Sequence, residues 1–244
     1  MNINQLRQSR NAAMVSIVFF VVFMLFSIFR ASFQSIDVTV NLWVLNIHTD
    51  TATLLAKVIS VAFDTTIIAA ASLLIASFLF IKNRKAQSVI LLTALSGSVL
   101  VAIIKNVTQV ARPENQLLPG SGFSYPSGHS ASTIIFIGLM VYYIWLNWNS
   151  SQRVKLLSLT SFGLVVALVG FDRIYLNVHW LSDVVGGWLF GAFWLSFCIM
   201  AYEQLKLAGK FESKKFNFIA NLLFALGIIV IVLIVILGPF LNIL

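Results

Sequence analysis

The stretch YPSGHSASTIIFIGLMVYYIWLNW, Tyr125–Trp148, joins a polar turn to a long apolar run. Its first six residues combine proline, glycine and serine, which favour turns, with an ionisable histidine, His129. The run that follows, Ala131–Trp148, is near the length that crosses the hydrocarbon of a bilayer as a helix. A single histidine at the mouth of such a helix is more often a cap or an interfacial residue than a catalyst. Charge beside a bilayer is costly unless it is paired or hydrated, so a cluster of charged residues there would indicate a functional site.

The rest of the chain has the same apolar character. Hydrophobic residues make up 59% of it and charged residues 10%, and the mean hydropathy is +0.96. Too little polar surface remains for a soluble domain to meet water. Seven apolar runs approach spanning length: Ala12–Phe29, Val58–Ile81, Ala86–Ile104, Ala131–Trp148, Leu156–Phe171, Val184–Tyr202 and Phe218–Leu241. Because none alternates as barrel strands do, the sequence predicts an all-α integral membrane protein, a bundle of six core transmembrane helices with a seventh at the C-terminus.

The distribution of basic residues predicts the orientation. With the N-terminus in the cytoplasm, eleven basic residues fall in inner loops and five on the outer side. The eleven are Arg7, Arg10, Lys82, Arg84, Lys85, Arg153, Lys155, Lys206, Lys210, Lys214 and Lys215, and the five are Arg30, Lys57, Lys105, Arg112 and Arg173. This is the positive-inside pattern, so we expect a multi-pass protein of the cell membrane with a cytoplasmic N-terminus. Most of the net charge of +8 therefore comes from basic residues that set the membrane topology. For this reason no nucleic-acid partner is expected.

Three divisions of the chain are expected. Residues 1–57 supply the first helix and a segment, Ser35–Thr53, that is too short and too polar to span and is expected to lie at the outer surface as an interfacial helix. Residues 58–203 form the core that carries the chemistry. Residues 204–244 form a cytoplasmic loop and an extra transmembrane helix.

The outer loops contain a cluster of cations and histidines. Its members are Lys105, Arg112, His129, Arg173, His179 and Asp183. Cations that converge on one pocket repel each other, and an anion with several oxygens, phosphate above all, relieves the repulsion. If Ser127 caps the fourth spanning helix, the amides near Gly128 point into the same pocket, where a helix N-terminus binds anions and glycine allows close approach. The sequence therefore predicts a phosphate site formed by Lys105, Arg112, Ser127, Gly128 and Arg173.

The two histidines of the cluster are expected to have different roles. His179 and Asp183 are four residues apart and share one face if a helix begins there. A carboxylate on one ring nitrogen orients the other, which suits His179 as a nucleophile on phosphorus that forms a phosphohistidine. His129, from the other loop, could protonate the leaving oxygen and later activate water. The predicted catalytic residues are therefore His179, His129 and Asp183, and no metal is expected, because only Asp183 offers a second ligand at helical spacing.

These residues fall into three motifs, which are read in the order Lys105–Pro113, Pro126–His129 and Asp172–Asp183. They are similar to Lys-x6-Arg-Pro, Pro-Ser-Gly-His and Ser-Arg-x5-His-x3-Asp of the type 2 phosphatidic acid phosphatase (lipid phosphate phosphatase) family. The resemblance extends over about Val58–Tyr202 and departs from the third motif at its first position, where Asp172 replaces serine. It implies a metal-independent phosphomonoesterase or pyrophosphatase, without a cofactor, that acts through the residues above at an outward-facing site.

The resemblance and the outward site together lead to an expected substrate, a lipid phosphate of the outer leaflet, with undecaprenyl pyrophosphate as the best guess. Phosphatidylglycerol phosphate and phosphatidate remain alternatives, since nothing in the sequence identifies the tail or head group. A transporter or lipid-binding protein that holds the anion without cleaving it, and a transferase with a second acceptor site, are the rival classes. Membrane lipids are the expected partners, and the oligomeric state stays open.

Three further side-chain environments are expected. A serine at position 172 would donate a hydrogen bond to phosphate, whereas Asp172 either pairs with a cation or is protonated. Asp64 is expected to pair with Lys57, with service in the pocket as the alternative. The sequence GGWLFG, Gly186–Gly191, has the small-residue spacing of close helix packing, expected here within one chain.

Overall fold

The computed structural model describes residues 3–147, 151–214, 216–218 and 221, and these residues form eight α-helices. The helices are α1 (Ile3–Ile28), α2 (Gln34–Asn46), α3 (Asp50–Ala62), α4 (Thr65–Ile81), α5 (Lys85–Thr108), α6 (Gly128–Asn147), α7 (Gln152–Tyr175) and α8 (Leu181–Leu207). Short 3-10 turns lie at Arg30–Phe33 and Lys210–Glu212. The predicted seventh helix, Phe218–Leu241, falls almost wholly outside the described residues.

Six segments of this described part are long and apolar enough to cross a membrane. They are Arg10–Ile28, Asp50–Ile81, Lys85–Thr108, Gly128–Trp145, Gln152–Tyr175 and Leu181–Leu207. The predicted six-helix core of an all-α membrane protein is therefore confirmed. The fifth apolar run, short by itself, reaches spanning length because α7 continues through Arg173 to Tyr175.

The second apolar run differs from its prediction as one helix beginning at Val58. The helix begins eight residues earlier, at Asp50, and is interrupted between Ala62 and Thr65. Asp64 has extended backbone there, and its carboxylate accepts the backbone N–H groups that open α4, which ends one helix and starts the next. The predicted surface segment Ser35–Thr53 is accordingly divided, since its last four residues belong to α3.

Helix α8 lies at the centre of the bundle and packs against α1, α5 and α6. Its approach to α6 is so close that a Cβ on Gly187 would lie 2.6 Å from the carbonyl oxygen of Ser127. A Cβ on Gly191 would lie 2.8 Å from the carbonyl oxygen of Ala131. The glycines predicted to pack within one chain do so, and they bring the start of α8 against the start of α6.

The connection from α5 to α6 is a folded loop that returns to its own beginning. Gln109 ends α5 in the left-handed region, at φ 50°, and turns the chain away from the helix axis. The hydroxyl of Ser124 then donates to the carbonyl oxygens of Val110 and Ala111, both at 3.1 Å. The two ends of the loop are thereby fixed side by side, next to the first turn of α6.

Candidate active site

Lys105, in the last turn of α5, is directed at the far end of the loop. Its ammonium donates to the carbonyl oxygens of Phe123 at 2.7 Å and Ser124 at 3.0 Å. An ammonium has three N–H donors, so these two bonds leave one for a ligand. Lys105 therefore both closes the loop and supplies positive charge to the space in front of α6.

Arg112 is held by backbone carbonyl oxygens of the loop and of the segment before α8. Its Nε donates to Gly122 at 3.1 Å, Nη2 to Ser121 at 3.0 Å and Nη1 to Val178 at 2.7 Å. Nη1 also lies 3.5 Å from Nε2 of His179. Burial lowers the pKa of Arg112 from its ordinary value, yet the carbonyl oxygens around it favour the charged guanidinium.

Ser127 caps α6 as predicted. Its buried hydroxyl accepts the backbone N–H of Ser130 at 3.4 Å, and its own N–H donates to the carbonyl oxygen of Asp183 at 2.9 Å. This second bond joins the first turn of α6 to the first turn of α8. At Gly128 the nearest atoms to an added Cβ would be 3.7 Å away on Thr65 and 3.8 Å away on Val101, so packing within the protein does not itself require glycine.

His179 and Asp183 are in contact, although not as two residues of one helix. Helix α8 begins at Leu181, so His179 precedes it and its ring reaches back to the first turn. Nδ1 lies 3.5 Å from Oδ2 of Asp183, and the same oxygen accepts the N–H of Trp180 at 2.9 Å. Asp183 is fully buried and His179 is 5% exposed, so the pair lies beneath the protein surface.

The state of His179 suits a nucleophile. Burial lowers the pKa of His179 to about 4, while Asp183 opposes the shift and Lys105 and Arg112 add to it. The ring is therefore neutral at pH 7. With Nδ1 facing Asp183, the nitrogen left to act as a nucleophile is Nε2, which lies at the long hydrogen-bond distance of 3.5 Å from Nη1 of Arg112.

Asp172 pairs with a cation, which is one of its two expected states. Its Oδ2 accepts from Arg173 Nε at 2.9 Å and also from Nη2, and both side chains are buried. Oδ1 of Asp172 is buried without a hydrogen-bond partner in the described part of the chain. The third predicted phosphate-binding cation is therefore already bound to a carboxylate before any ligand arrives.

His129 faces a carboxylate that the sequence reasoning assigned elsewhere. Oδ2 of Asp64 lies 3.6 Å from Nε2 of His129, while Oδ1 caps α4 through the N–H of Thr66 at 2.8 Å. The predicted pairing of Asp64 with Lys57 is wrong, and its alternative, a place in the pocket, is what the structure has. The sequence signal was an aspartate followed by threonine ahead of an apolar run, which is typical of a helix N-cap.

A second contribution that the sequence reasoning missed is Arg30, which was counted only as one of the outer cations. It donates to Oδ1 of Asp183 at 3.2 Å from the turn after α1. The charges of Arg173 and Lys105 and the ring of His179 act on the ring of His129, so these groups lie in its neighbourhood. The structure thus brings the predicted residues of all three motifs to one end of the bundle and adds Asp64 and Arg30 to them.

Comparison with known proteins gives relatives over part of this chain. Residues 87–207 match the model of the PAP2 superfamily. Phosphatidylglycerophosphatase B of Bacillus subtilis is 28% identical over 124 residues, which are 50% of this chain and 61% of that protein. Undecaprenyl-diphosphatase of Sulfolobus acidocaldarius is 29% identical over 141 residues, which are 55% of this chain and 63% of that protein. The matched regions therefore span less than two thirds of either relative.

A solved structure shares the fold. The crystal structure of a transmembrane PAP2 type phosphatidylglycerolphosphate phosphatase from Bacillus subtilis superposes with a TM-score of 0.70 at 21% sequence identity. The superposition covers 78% of this chain and 97% of that one. Residues 87–207 contain all three motifs and the whole of α8, and they form a PAP2 superfamily domain.

Proposed function

We propose that this chain is a metal-independent phosphatase of the cell membrane, which hydrolyses the phosphate or pyrophosphate of a lipid in the outer leaflet. One observation carries the proposal. The neutral ring of His179 directs Nε2 toward the guanidinium of Arg112, at 3.5 Å, while Asp183 faces its other nitrogen. A histidine in that state can attack phosphorus, and the carboxylate supports the positive charge that the ring then acquires.

The reaction proceeds in two displacements. Binding of the anionic lipid phosphate offsets the cations around His129, so that its ring takes up a proton from solvent. Nε2 of His179 attacks phosphorus, the bond from phosphorus to the lipid oxygen breaks, and His129 gives that proton to the lipid oxygen. A water oxygen then attacks the phosphohistidine, His129 takes a proton from the water, and the phosphorus–nitrogen bond breaks to release phosphate. Lys105, Arg112 and Arg173 offset the negative charge that develops on the phosphoryl oxygens in both steps.

Undecaprenyl pyrophosphate is the proposed substrate within this class. The diphosphatase relative supports it, and the phosphatidylglycerophosphatase relative supports phosphatidylglycerol phosphate, with phosphatidate as a further alternative. For a diphosphate the leaving oxygen belongs to the lipid monophosphate. The excess of basic residues on the other side of the bundle supports a cytoplasmic N-terminus and an extracytoplasmic site.

The test is phosphate release by the purified full chain in detergent micelles, offered each of these lipids in turn. We expect release from at least one lipid, inhibition by orthovanadate and no effect of EDTA. His179→Ala should abolish turnover without changing the thermal unfolding midpoint. His48→Ala is the matched control, because His48 bonds to the backbone of Tyr175 and lies outside the site.

The alternative class is a binder or transporter that holds a lipid phosphate without cleaving it. Such a protein would bind the lipid in the same micelles and release no phosphate from it. Full activity of His179→Ala would refute the assignment of the nucleophile. Loss of activity in EDTA, restored by a divalent ion, would refute the metal-free mechanism.

A further inference from the structure

The N-terminal segment, outside the matched residues 87–207, contributes charged side chains to the site. Arg30 begins the 3-10 turn that follows α1. Its Nη2 donates to Oδ1 of Asp183 at 3.2 Å, across 153 positions of sequence. Asp183 is fully buried, so this guanidinium is one of the few groups that replace the water that its carboxylate lost on folding.

Besides Asp183, two side chains lie beside the guanidinium of Arg30, one in α2 and one in the loop before α6. Oδ2 of Asp37, in α2, lies 3.8 Å from its Nη2. Asp37 is 4% exposed and accepts both the N–H of Ser182 at 2.8 Å and its hydroxyl at 2.6 Å, which fastens α2 to the first turn of α8. The guanidinium carbon of Arg30 lies 5.4 Å from the ring centre of Tyr125, a cation–π distance.

The two oxygens of Asp183 thus have separate partners. Oδ2 faces His179 and accepts the N–H of Trp180, whereas Oδ1 accepts from Arg30. A carboxylate anchored at both oxygens cannot rotate away from the imidazole. Without Arg30, Oδ1 would be a buried, charged oxygen without its donor, and the carboxylate would turn to find another.

We propose that Arg30, held in place by Asp37, is a positioning residue that fixes Asp183 against His179. It acts through Asp183 and does not contact the phosphate. The inference rests on the proposed function, because the step it serves is attack by His179 on phosphorus. It also gives the turn after α1, and Asp37 in α2, a part in positioning the catalytic groups.

The first test is the kinetics of Arg30→Gln in the full chain. Displacement of catalytic groups on the ångström scale can lower turnover by about 10²-fold, so we expect kcat to fall by about 10- to 100-fold. KM should stay near its original value, because Lys105, Arg112 and Arg173 are untouched. Arg30→Lys restores a cation and should recover much of the loss. Arg10→Gln, at the other end of α1, is the matched control and should leave turnover unchanged.

A double-mutant cycle separates positioning from general packing. If Arg30 acts only through Asp183, the variant Arg30→Gln with Asp183→Asn should be no slower than Asp183→Asn alone, because coupled residues are not additive. Additive losses would show that Arg30 supports the fold of the bundle independently, and they would overturn the proposal. Equal losses in Arg30→Gln and Arg30→Lys would overturn it as well.

A second measurement does not depend on turnover. The chain has three histidines, so NMR of protein with labelled imidazole rings gives few signals to assign by substitution. We expect the nitrogen shift of Nδ1 of His179, which faces Asp183 at 3.5 Å, to change in Arg30→Gln and to stay near its wild-type value in Arg30→Lys. If the signal of His179 behaves in this way but the wild type hydrolyses no lipid, the positioning role stands and the proposed function is rejected. If the wild type is active but the signal is the same in all variants, the proposed function stands and the positioning role is rejected.

Discussion

Replacing Gly187 by alanine tests whether the contact between α6 and α8 places the catalytic groups. The added Cβ would lie 2.6 Å from the carbonyl oxygen of Ser127 and 2.9 Å from Cβ of Ser130, and real Cβ atoms essentially never come within 3.0 Å of such neighbours. The oxygen belongs to backbone and cannot rotate aside. The first turn of α6 and the first turn of α8 must therefore separate, by roughly 1 Å, a displacement that can lower turnover about 10²-fold.

The effect of this change on the free energy of unfolding should be modest. Overpacking destabilises by about 1–3 kcal/mol, and the higher helix propensity of alanine recovers up to about 1 kcal/mol of that. We therefore expect Gly187→Ala to remain folded and to lose between about 10- and 100-fold in kcat. The assay is phosphate release in detergent micelles, with the thermal unfolding midpoint measured on the same sample.

Gly163→Ala, in α7, is the control for this prediction. An added Cβ there meets no atom within 4 Å, so the change should leave turnover intact and raise stability slightly. Wild-type turnover in Gly187→Ala would refute the reasoning, because it would mean that the spacing of the two helix starts does not set the geometry of the site.

Three further predictions concern charge in the pocket. Asp172→Ser frees Arg173 from its ion pair and should lower the inhibition constant of orthovanadate about tenfold. An unchanged inhibition constant would show that the ion pair does not compete with the ligand for Arg173. Asp64→Asn removes the carboxylate beside His129 and should slow lipid hydrolysis about tenfold, with little effect on p-nitrophenyl phosphate, whose leaving group needs no acid. Because burial lowers the pKa of His179 to about 4, its ring stays neutral above that pH, so the acidic limb of the kcat/KM profile should fall as the pH drops through about 4; an acidic limb centred on 6.5 would contradict this.

The residues of each segment were sufficient to predict much of the fold. The apolar runs predicted the six-helix core, and proline, serine and glycine ahead of Ala131 predicted the capped start of α6. The break between α3 and α4 was missed, because the run around it is apolar on both sides and hydropathy averaged over a window conceals a single capping residue. Asp64 was the visible sign of that break.

The sequence by itself determined the class of protein, the three motifs and the residue types that a phosphate site needs, because each of these depends on composition or on spacing within a few turns of one segment. Only the tertiary structure decided which carboxylate meets which cation. Asp64 faces His129 and Arg30 reaches Asp183 because α4 lies beside α6 and α1 lies along α8. Such pairings are set by how whole helices pack, and no pattern along a single helix records its neighbour.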